Sequence, residues 1–206
     1  MQKKYPVLFL TNNENSRDLF LWLKEKNEEV YLINEKITSE IVQAYSPIVM
    51  ISFNYKYMIP KDIIDMMQGQ IFNLHISLLP YNRGKFPNFF SFIENTPKGV
   101  TIHQIDEGLD TGPILAQKEL FFDESKETFA SSYEKLILEI QMLFKENWSS
   151  ISDKNYQLYA QTRGGGTFHT SDDFKRIYER FPFSWNDNIL AYKKKWRRID
   201  GKGGNL

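Results

Sequence analysis

Short continuous apolar runs alternate along the chain with stretches whose apolar residues recur every three or four positions, a pattern that predicts strands separated by helices. Val7 to Leu10, Val30 to Ile33, Ile48 to Phe53 and Ile71 to Ile76 are the strand-length runs. Between them Ser16 is placed to cap a helix running to Lys26, with Leu19, Phe20 and Leu23 on one face, and Ser39 to Tyr45 and Lys61 to Met67 predict two shorter helices. Such alternation argues for an α/β fold with a mostly parallel, Rossmann-like sheet flanked by helices. Asn88 to Glu94 then predicts a helix, and Gly99 to Asp106 and Pro113 to Phe121 two strands. Thr128 to Trp148 is the strongest helix, with Phe129, Tyr133, Leu136, Ile140, Leu143 and Phe144 on one stripe, and is expected to pack on the sheet. Periodicity stops after Trp148, which divides the chain into a domain of residues 1–148 and a small C-terminal module of residues 149–206, expected to be irregular or hairpin-rich.

Composition narrows the class. With 206 residues, 41% of them hydrophobic, the chain is long enough to bury a core as one domain plus an appendage. The 26 basic and 26 acidic side chains cancel, so no overall field favours nucleic acid. No cysteine is present, which excludes disulfides, thiolate catalysis and cysteine-based metal sites. The start from Met1 to Val7 runs into too few apolar residues before Asn12 for a signal peptide or a membrane span, and a cytoplasmic location is the default expectation. Gly164-Gly165-Gly166 lacks the strand-to-helix context of a phosphate loop and is expected to be a turn; the basic run Lys193 to Arg198 is expected to be a solvated face.

Chemistry concentrates in two places. On a strand from Ile71 to Ile76, Asn73 and His75 are two positions apart and share a face. Asp110 lies in the loop between the two later strands, with Gly108 and Gly112 allowing a tight turn, so its carboxylate can reach His75. An amide, an imidazole and a carboxylate suit transfer of a small acyl group to an amine. The amide N–H donates to the developing oxyanion, the imidazole donates when charged or takes a proton when neutral, and the carboxylate orients the ring or holds a water that relays the proton. No nucleophilic side chain and no metal is required.

These residues resemble the formyltransferases that use 10-formyltetrahydrofolate. The similarity is carried by Asn73-Leu74-His75, the loop Ser77 to Pro80, Arg83-Gly84, and the segment Val100-Thr101-Ile102-His103-Gln104-Ile105-Asp106-Glu107-Gly108-Leu109-Asp110-Thr111-Gly112. The resemblance implies that Asn73, His75 and Asp110 are the catalytic trio and 10-formyltetrahydrofolate the formyl donor. It implies that the pterin sits between Asp106, Glu107, Gly108 and Leu109 on one side and Asn54, Tyr55, Lys56, Tyr57 and Met58 on the other. His103, though part of the motif, is expected to be structural.

Three acceptor classes occur among the enzymes it resembles. The transferases that act on initiator methionyl-tRNA carry a further C-terminal domain, for which this chain is too short. The purine-pathway enzyme acting on glycinamide ribonucleotide has a glycine in its first loop, where this chain has Thr11 to Ser16 without one. The sugar N-formyltransferases are the closest in pattern, through Asn12 to Ser16 and Gly166-Thr167-Phe168-His169. This implies a dTDP-linked dideoxyamino hexose as acceptor, for surface polysaccharide such as O-antigen, and a homodimer formed through the C-terminal module. The acceptor-contacting residues implied are Asn12, Asn13, Ser77, Tyr81, Asn82, Arg83, Lys85, Asn88 and His169, with Arg83 or Lys85 on the diphosphate. Phosphoribosylglycinamide formyltransferase is the alternative activity; a non-catalytic nucleotide-sugar or folate-binding module is the alternative of another class.

Overall fold

A computed structural model describes residues 6–26, 29–162 and 164–200. The leader reading of residues 1–5 lies outside them. In chain order the elements are β1 (Pro6–Leu10), a 3-10 turn (Glu14–Ser16), α1 (Arg17–Glu25), β2 (Glu29–Ile33), α2 (Ser39–Tyr45), β3 (Val49–Ser52), α3 (Lys61–Met67), β4 (Ile71–His75), β5 (Arg83–Gly84), α4 (Pro87–Ile93), β6 (Lys98–Gln104), β7 (Ile114–Leu120), α5 (Phe129–Ser152), β8 (Phe168–His169), α6 (Ser171–Arg180) and α7 (Ile189–Asp200). Six strands form one sheet in the order β2-β1-β3-β4-β6-β7. β2, β1, β3 and β4 run parallel, and β6 turns back antiparallel to β4. Among the described residues no helix is long and apolar enough to cross a membrane.

The chain forms two compact units that interleave in sequence. One is Met1–His75, Thr101–Gln117 and Ile140–Gln161; the other is Ile76–Val100, Lys118–Glu139 and Thr162–Leu206. That division differs from a linear cut after Trp148, because the segments that pack together are not consecutive.

In the first unit, Val7 to Leu10 are fully buried, as expected of a parallel strand covered on both faces. β2, at the sheet edge, buries only Val30 and Ile33 and leaves Tyr31 and Leu32 exposed. Leu8, Leu10, Met50, Ile63, Met67 and Ile71 join strands β1, β3 and β4 to α3 in one cluster, each side chain contributing about 2 kcal/mol by its removal from water. Ser16 does not cap α1 as its position predicts. Its hydroxyl donates to the Phe53 carbonyl at 3.3 Å, and the cap moves upstream to Asn13, whose side chain accepts from the Asn15 N–H.

The second unit has an aromatic core. Phe89, Phe90 and Phe92 of α4 meet Phe129, Ile189 and Tyr192, with the rings of Phe129 and Tyr192 perpendicular at 5.4 Å. The tail is therefore helical and not hairpin-rich. Phe174, Ile177 and Phe181 recur at helical spacing and pack against this core. The one strand described in the tail, β8, has two residues and pairs with β5. The basic run lies on α7, where Lys194, Lys195, Arg197 and Arg198 are exposed as a solvated face requires and only Lys193 departs from that reading. Lys193 is 5% exposed, and its ammonium donates to both Glu124 carboxylate oxygens at 2.7 and 2.6 Å and to Asn95 Oδ1 at 2.6 Å.

α6 opens with a reciprocal cap. The Thr170 hydroxyl accepts from the Asp173 N–H, and the Asp173 carboxylate accepts from the Thr170 N–H. The Thr170 side chain and backbone, followed by Arg176, hold the Asp173 carboxyl down at about 2. Its folded value lies below the unfolded one, so the stability it contributes is present above the ordinary aspartate range and is lost as pH falls through about 2. Thr170→Ala is expected to cost about 1 kcal/mol at neutral pH, and the gap between its melting curve and the wild-type curve should narrow as pH drops toward 2, without closing, because the Asp173 N–H bond to the hydroxyl does not titrate. A difference that persists unchanged at pH 2 would separate the cap from this carboxylate.

Candidate active site

Antiparallel pairing of β4 with β6 builds the site inside the first unit. The register sets Asn73 opposite His103 and His75 opposite Thr101. The loop after β6 brings Asp110 to both rings and to the amide. Asn73 Nδ2 donates to Asp110 Oδ1 at 3.1 Å, His103 Nε2 lies 3.4 Å from the same oxygen, and His75 Nδ1 lies 3.7 Å from Asp110 Oδ2. The two imidazoles stand nearly perpendicular, 6.3 Å apart. His75 is 7% exposed and His103 1%, so the carboxylate works where charge interactions are less screened than in water.

The tautomer of His103 follows from its neighbours. Nδ1 lies 2.8 Å from the Gln104 carbonyl, which only accepts, so Nδ1 carries the proton. In the neutral ring Nε2 then accepts from Asn73 Nδ2 at 3.3 Å; in the charged ring it donates to Asp110. One amide hydrogen of Asn73 thus faces Asp110 and the other faces His103. The second contact is the longer, so that hydrogen is the less firmly held.

The backbone at Asp110 is left-handed, with φ +53°, a conformation that costs a non-glycine residue of order 1 kcal/mol and that aspartate tolerates better than most. The surrounding loop holds it there. Asp106 Oδ1 accepts from the Gly108 N–H at 3.1 Å and from the Thr111 hydroxyl at 2.7 Å. At Gly112 any Cβ would run into the Gln104 carbonyl, which is why glycine stands there.

The strand order reverses direction after β1, and the loops that follow β1 and β3 meet at that switch point, the usual position of a ligand crevice in such sheets. Asn12 ties them together. Its N–H donates to the Asn54 carbonyl at 3.2 Å, its Oδ1 accepts from the Lys56 N–H at 3.0 Å, and its Nδ2 donates to the Asn34 carbonyl. Asn12 and Asn13 therefore brace these loops from positions that remain at least partly exposed. Along the segment expected to take the pterin, the Tyr55 hydroxyl donates to the Glu35 carbonyl at 2.6 Å and accepts from the Ile37 N–H, and burial pushes it up. The rings of Tyr55 and Tyr57 meet edge to face at 5.4 Å, with the Lys56 ammonium over Tyr57, while Met58 is 60% exposed. Lys61, just beyond, forms an ion pair with Glu107 and so joins this segment to Asp106–Leu109. Asn54 sits at φ +53° with its Nδ2 buried and without a hydrogen-bond partner among the described residues. An unsatisfied donor there fits a ring rich in acceptors.

Several residues expected to touch the acceptor are instead internal braces of the second unit. Asn82 is 0% exposed; its N–H donates to Thr167 Oγ1 and its Nδ2 to Thr96 Oγ1, both at 2.7 Å. Buried Asn88 donates to the Phe129 carbonyl at 2.9 Å and accepts from the Ser132 hydroxyl at 3.1 Å. The Ser77 hydroxyl donates to the Tyr81 carbonyl at 2.8 Å. His169 stacks on Phe90 at 3.6 Å and pairs with Glu94 at 3.1 Å. Tyr81 and Arg83 are half-buried and Lys85 is exposed. The backbone of Arg83 and Lys85 is held by Thr167 and His169, with Gly84 between them at φ +88° against the His169 carbonyl.

Two residues in contact with Asp110 had no such role in the sequence reading. His103 was expected to be structural; its place opposite Asn73 is visible only once the strands are paired. Gln161 gave no local signal, since the carbonyls it binds lie 51 and 49 residues away.

Comparison with known proteins agrees with this architecture. Residues 2–143 match the formyl transferase family. The dTDP-4-amino-4,6-dideoxyglucose formyltransferase of Mycobacterium tuberculosis is 31% identical over 185 residues, which is 83% of this chain and 76% of that protein. The crystal structure of the formyltransferase PseJ from Anoxybacillus kamchatkensis, in complex with UDP-4,6-dideoxy-4-formamido-L-AltNAc and tetrahydrofolate, is 33% identical and superposes with a TM-score of 0.83, covering 91% of this chain and 97% of that one. A methionyl-tRNA formyltransferase from Myxococcus xanthus is 38% identical over 99 residues, only 48% of this chain and 31% of that enzyme. With its Asn-x-His strand, its Asp110 turn and a match across most of its length, the chain belongs to the formyl transferase family.

Proposed function

We propose that this protein is a sugar N-formyltransferase that moves the formyl group of 10-formyltetrahydrofolate to the 4-amino group of a nucleotide-linked 4,6-dideoxyamino hexose. The observation that carries the reading is the convergence of Asn73, His75 and Asp110 within 3.1–3.7 Å in a largely buried setting. The mycobacterial relative and PseJ, each at least 30% identical over most of this chain, are described with nitrogen at C-4 of a 4,6-dideoxy sugar, which favours 4-amino over 3-amino.

The folate supplies an activated formyl carbon. Asn54 to Met58 and Asp106 to Leu109 would hold its pterin, with the Asn54 amide as one donor. The acceptor amine attacks as the free base. Asn73 turns an N–H from His103 to the developing oxyanion, His75 in its charged form is the second donor, and Asp110 takes the amine proton, directly or through water, and would return it to the folate nitrogen that leaves as its bond to the formyl carbon breaks. Asn12, Asn13, Tyr81, Arg83 and Lys85 are the remaining acceptor candidates, with the cations on the diphosphate. The reading extends to a cytoplasmic enzyme of surface-polysaccharide synthesis that works as a homodimer; light scattering on the purified chain checks the last point.

The nucleotide is dTDP on the mycobacterial likeness, while the ligand of PseJ favours UDP as a second reading. Incubation with 10-formyltetrahydrofolate and a panel of dTDP- and UDP-linked 3-amino and 4-amino sugars, together with glycinamide ribonucleotide, is expected to add one formyl mass to a 4-amino nucleotide sugar. Formylation of glycinamide ribonucleotide alone would move the chain to purine synthesis. Ligand binding without product would make it a non-catalytic binding module.

A further inference from the structure

We propose that Gln161 is a positioning residue that aims the Asp110 carboxylate, an inference that rests on Asp110 taking the amine proton. Gln161 Nε2 donates to the backbone carbonyls of Asp110 and Gly112, each at 2.8 Å. The two carbonyls bracket the turn, so a single planar amide, with both hydrogens used, sets the direction of the chain on either side of Thr111. That matters at this place because Asp110 is left-handed, at φ +53°, and a residue in a sparsely populated conformation stays there only when its surroundings over-determine it.

Gln161 is itself anchored. Tyr159, two residues earlier, exchanges both backbone hydrogen bonds with Ile114 at 2.8 Å, which lays the segment ending in Gln161 alongside the start of β7. The inner side of the loop is held separately by Asp106 and by the packing of Gly112 on Gln104. Gln161 is thus the outer restraint on the turn that carries the carboxylate, and its loss lets the turn relax without opening the sheet. A carboxylate displaced by a fraction of an ångström keeps its charge but loses its alignment with the amine, and such misplacement lowers turnover far more than binding.

The test uses the full chain with Gln161→Leu, which removes both donors, and Gln161→Glu, which keeps the length but sets an acceptor against two carbonyls. Each is expected to lower kcat about 10- to 100-fold, to displace the pH profile of kcat, and to leave both KM values within about threefold. In an Asp110→Asn background Gln161→Leu should cost less than about threefold, because the group it aims is already gone. If Gln161→Leu does not fold, Gln161→Glu supplies the same readings; if neither folds, Gln161 holds structure and the inference is overturned. It is also overturned by a folded variant with kcat within twofold of wild type, by a loss confined to KM, or by an undiminished loss in the Asp110→Asn background. Wild-type protein without any formyl transfer defeats the proposed function instead, whereas active wild type, inert Asp110→Asn and normal Gln161→Leu defeat this inference alone.

Discussion

Asp110→Asn is expected to lower kcat about a thousandfold, equivalent to about 4 kcal/mol of barrier, while moving Tm by no more than a few degrees. Asparagine isolates the charge. It tolerates the left-handed region almost as well as aspartate, so the turn at φ +53° and the two carbonyl contacts to Gln161 persist. Its Oδ1 still accepts from Asn73. What disappears is the carboxylate that lies within 3.7 Å of both imidazoles. Alanine is a poorer test at this position, because a Cβ without a polar group gains nothing locally from that conformation and adds strain to the loss of charge. Steady-state kinetics beside a thermal melt check the expectation. Turnover within tenfold of wild type in a folded Asp110→Asn protein would remove Asp110 from the proton-transfer step.

Asn73→Ala is expected to cost about 10²- to 10³-fold in kcat, roughly 3–4 kcal/mol, which is the usual loss when one preorganised oxyanion donor is deleted. The same side chain also holds Asp110 Oδ1 at 3.1 Å, so the two substitutions act on one connected group. Their combined loss should fall short of the sum, and fully additive losses in the double variant would show that the amide and the carboxylate act independently.

Much of the catalytic framework was legible in the chain. The alternation of apolar runs and helical stripes predicts the strands and helices of the sheet to within a few residues at each end. The period of two on β4 places Asn73 and His75 on one face, and the glycines around Asp110 announce a tight turn. These features depend on backbone geometry and local side-chain chemistry, so neighbouring residues are enough to predict them. The helices of the tail were missed for a related reason. The local signals are nevertheless there, in the Thr170–Asp173 capping spacing and in Phe174, Ile177 and Phe181 at helical steps, but the glycines and turn residues around them break the longer pattern against which a helix stands out.

Burial and partner choice were not legible, because they depend on segments far apart in the chain. Asn82, Asn88 and His169 have the residue types of a substrate-binding loop, yet their polar atoms are taken by Thr96, Phe129, Ser132 and Glu94. His103 resembles a structural strand residue until antiparallel pairing sets it opposite Asn73 and within reach of Asp110. Asn12 carries no local mark of the two loops that it ties together. The types and spacing of the reacting groups are thus properties of the chain, carried by local periodicity. Which polar groups remain available for chemistry is a property of the fold, since a hydrogen bond to a distant carbonyl uses up a donor that no local pattern can mark as spent.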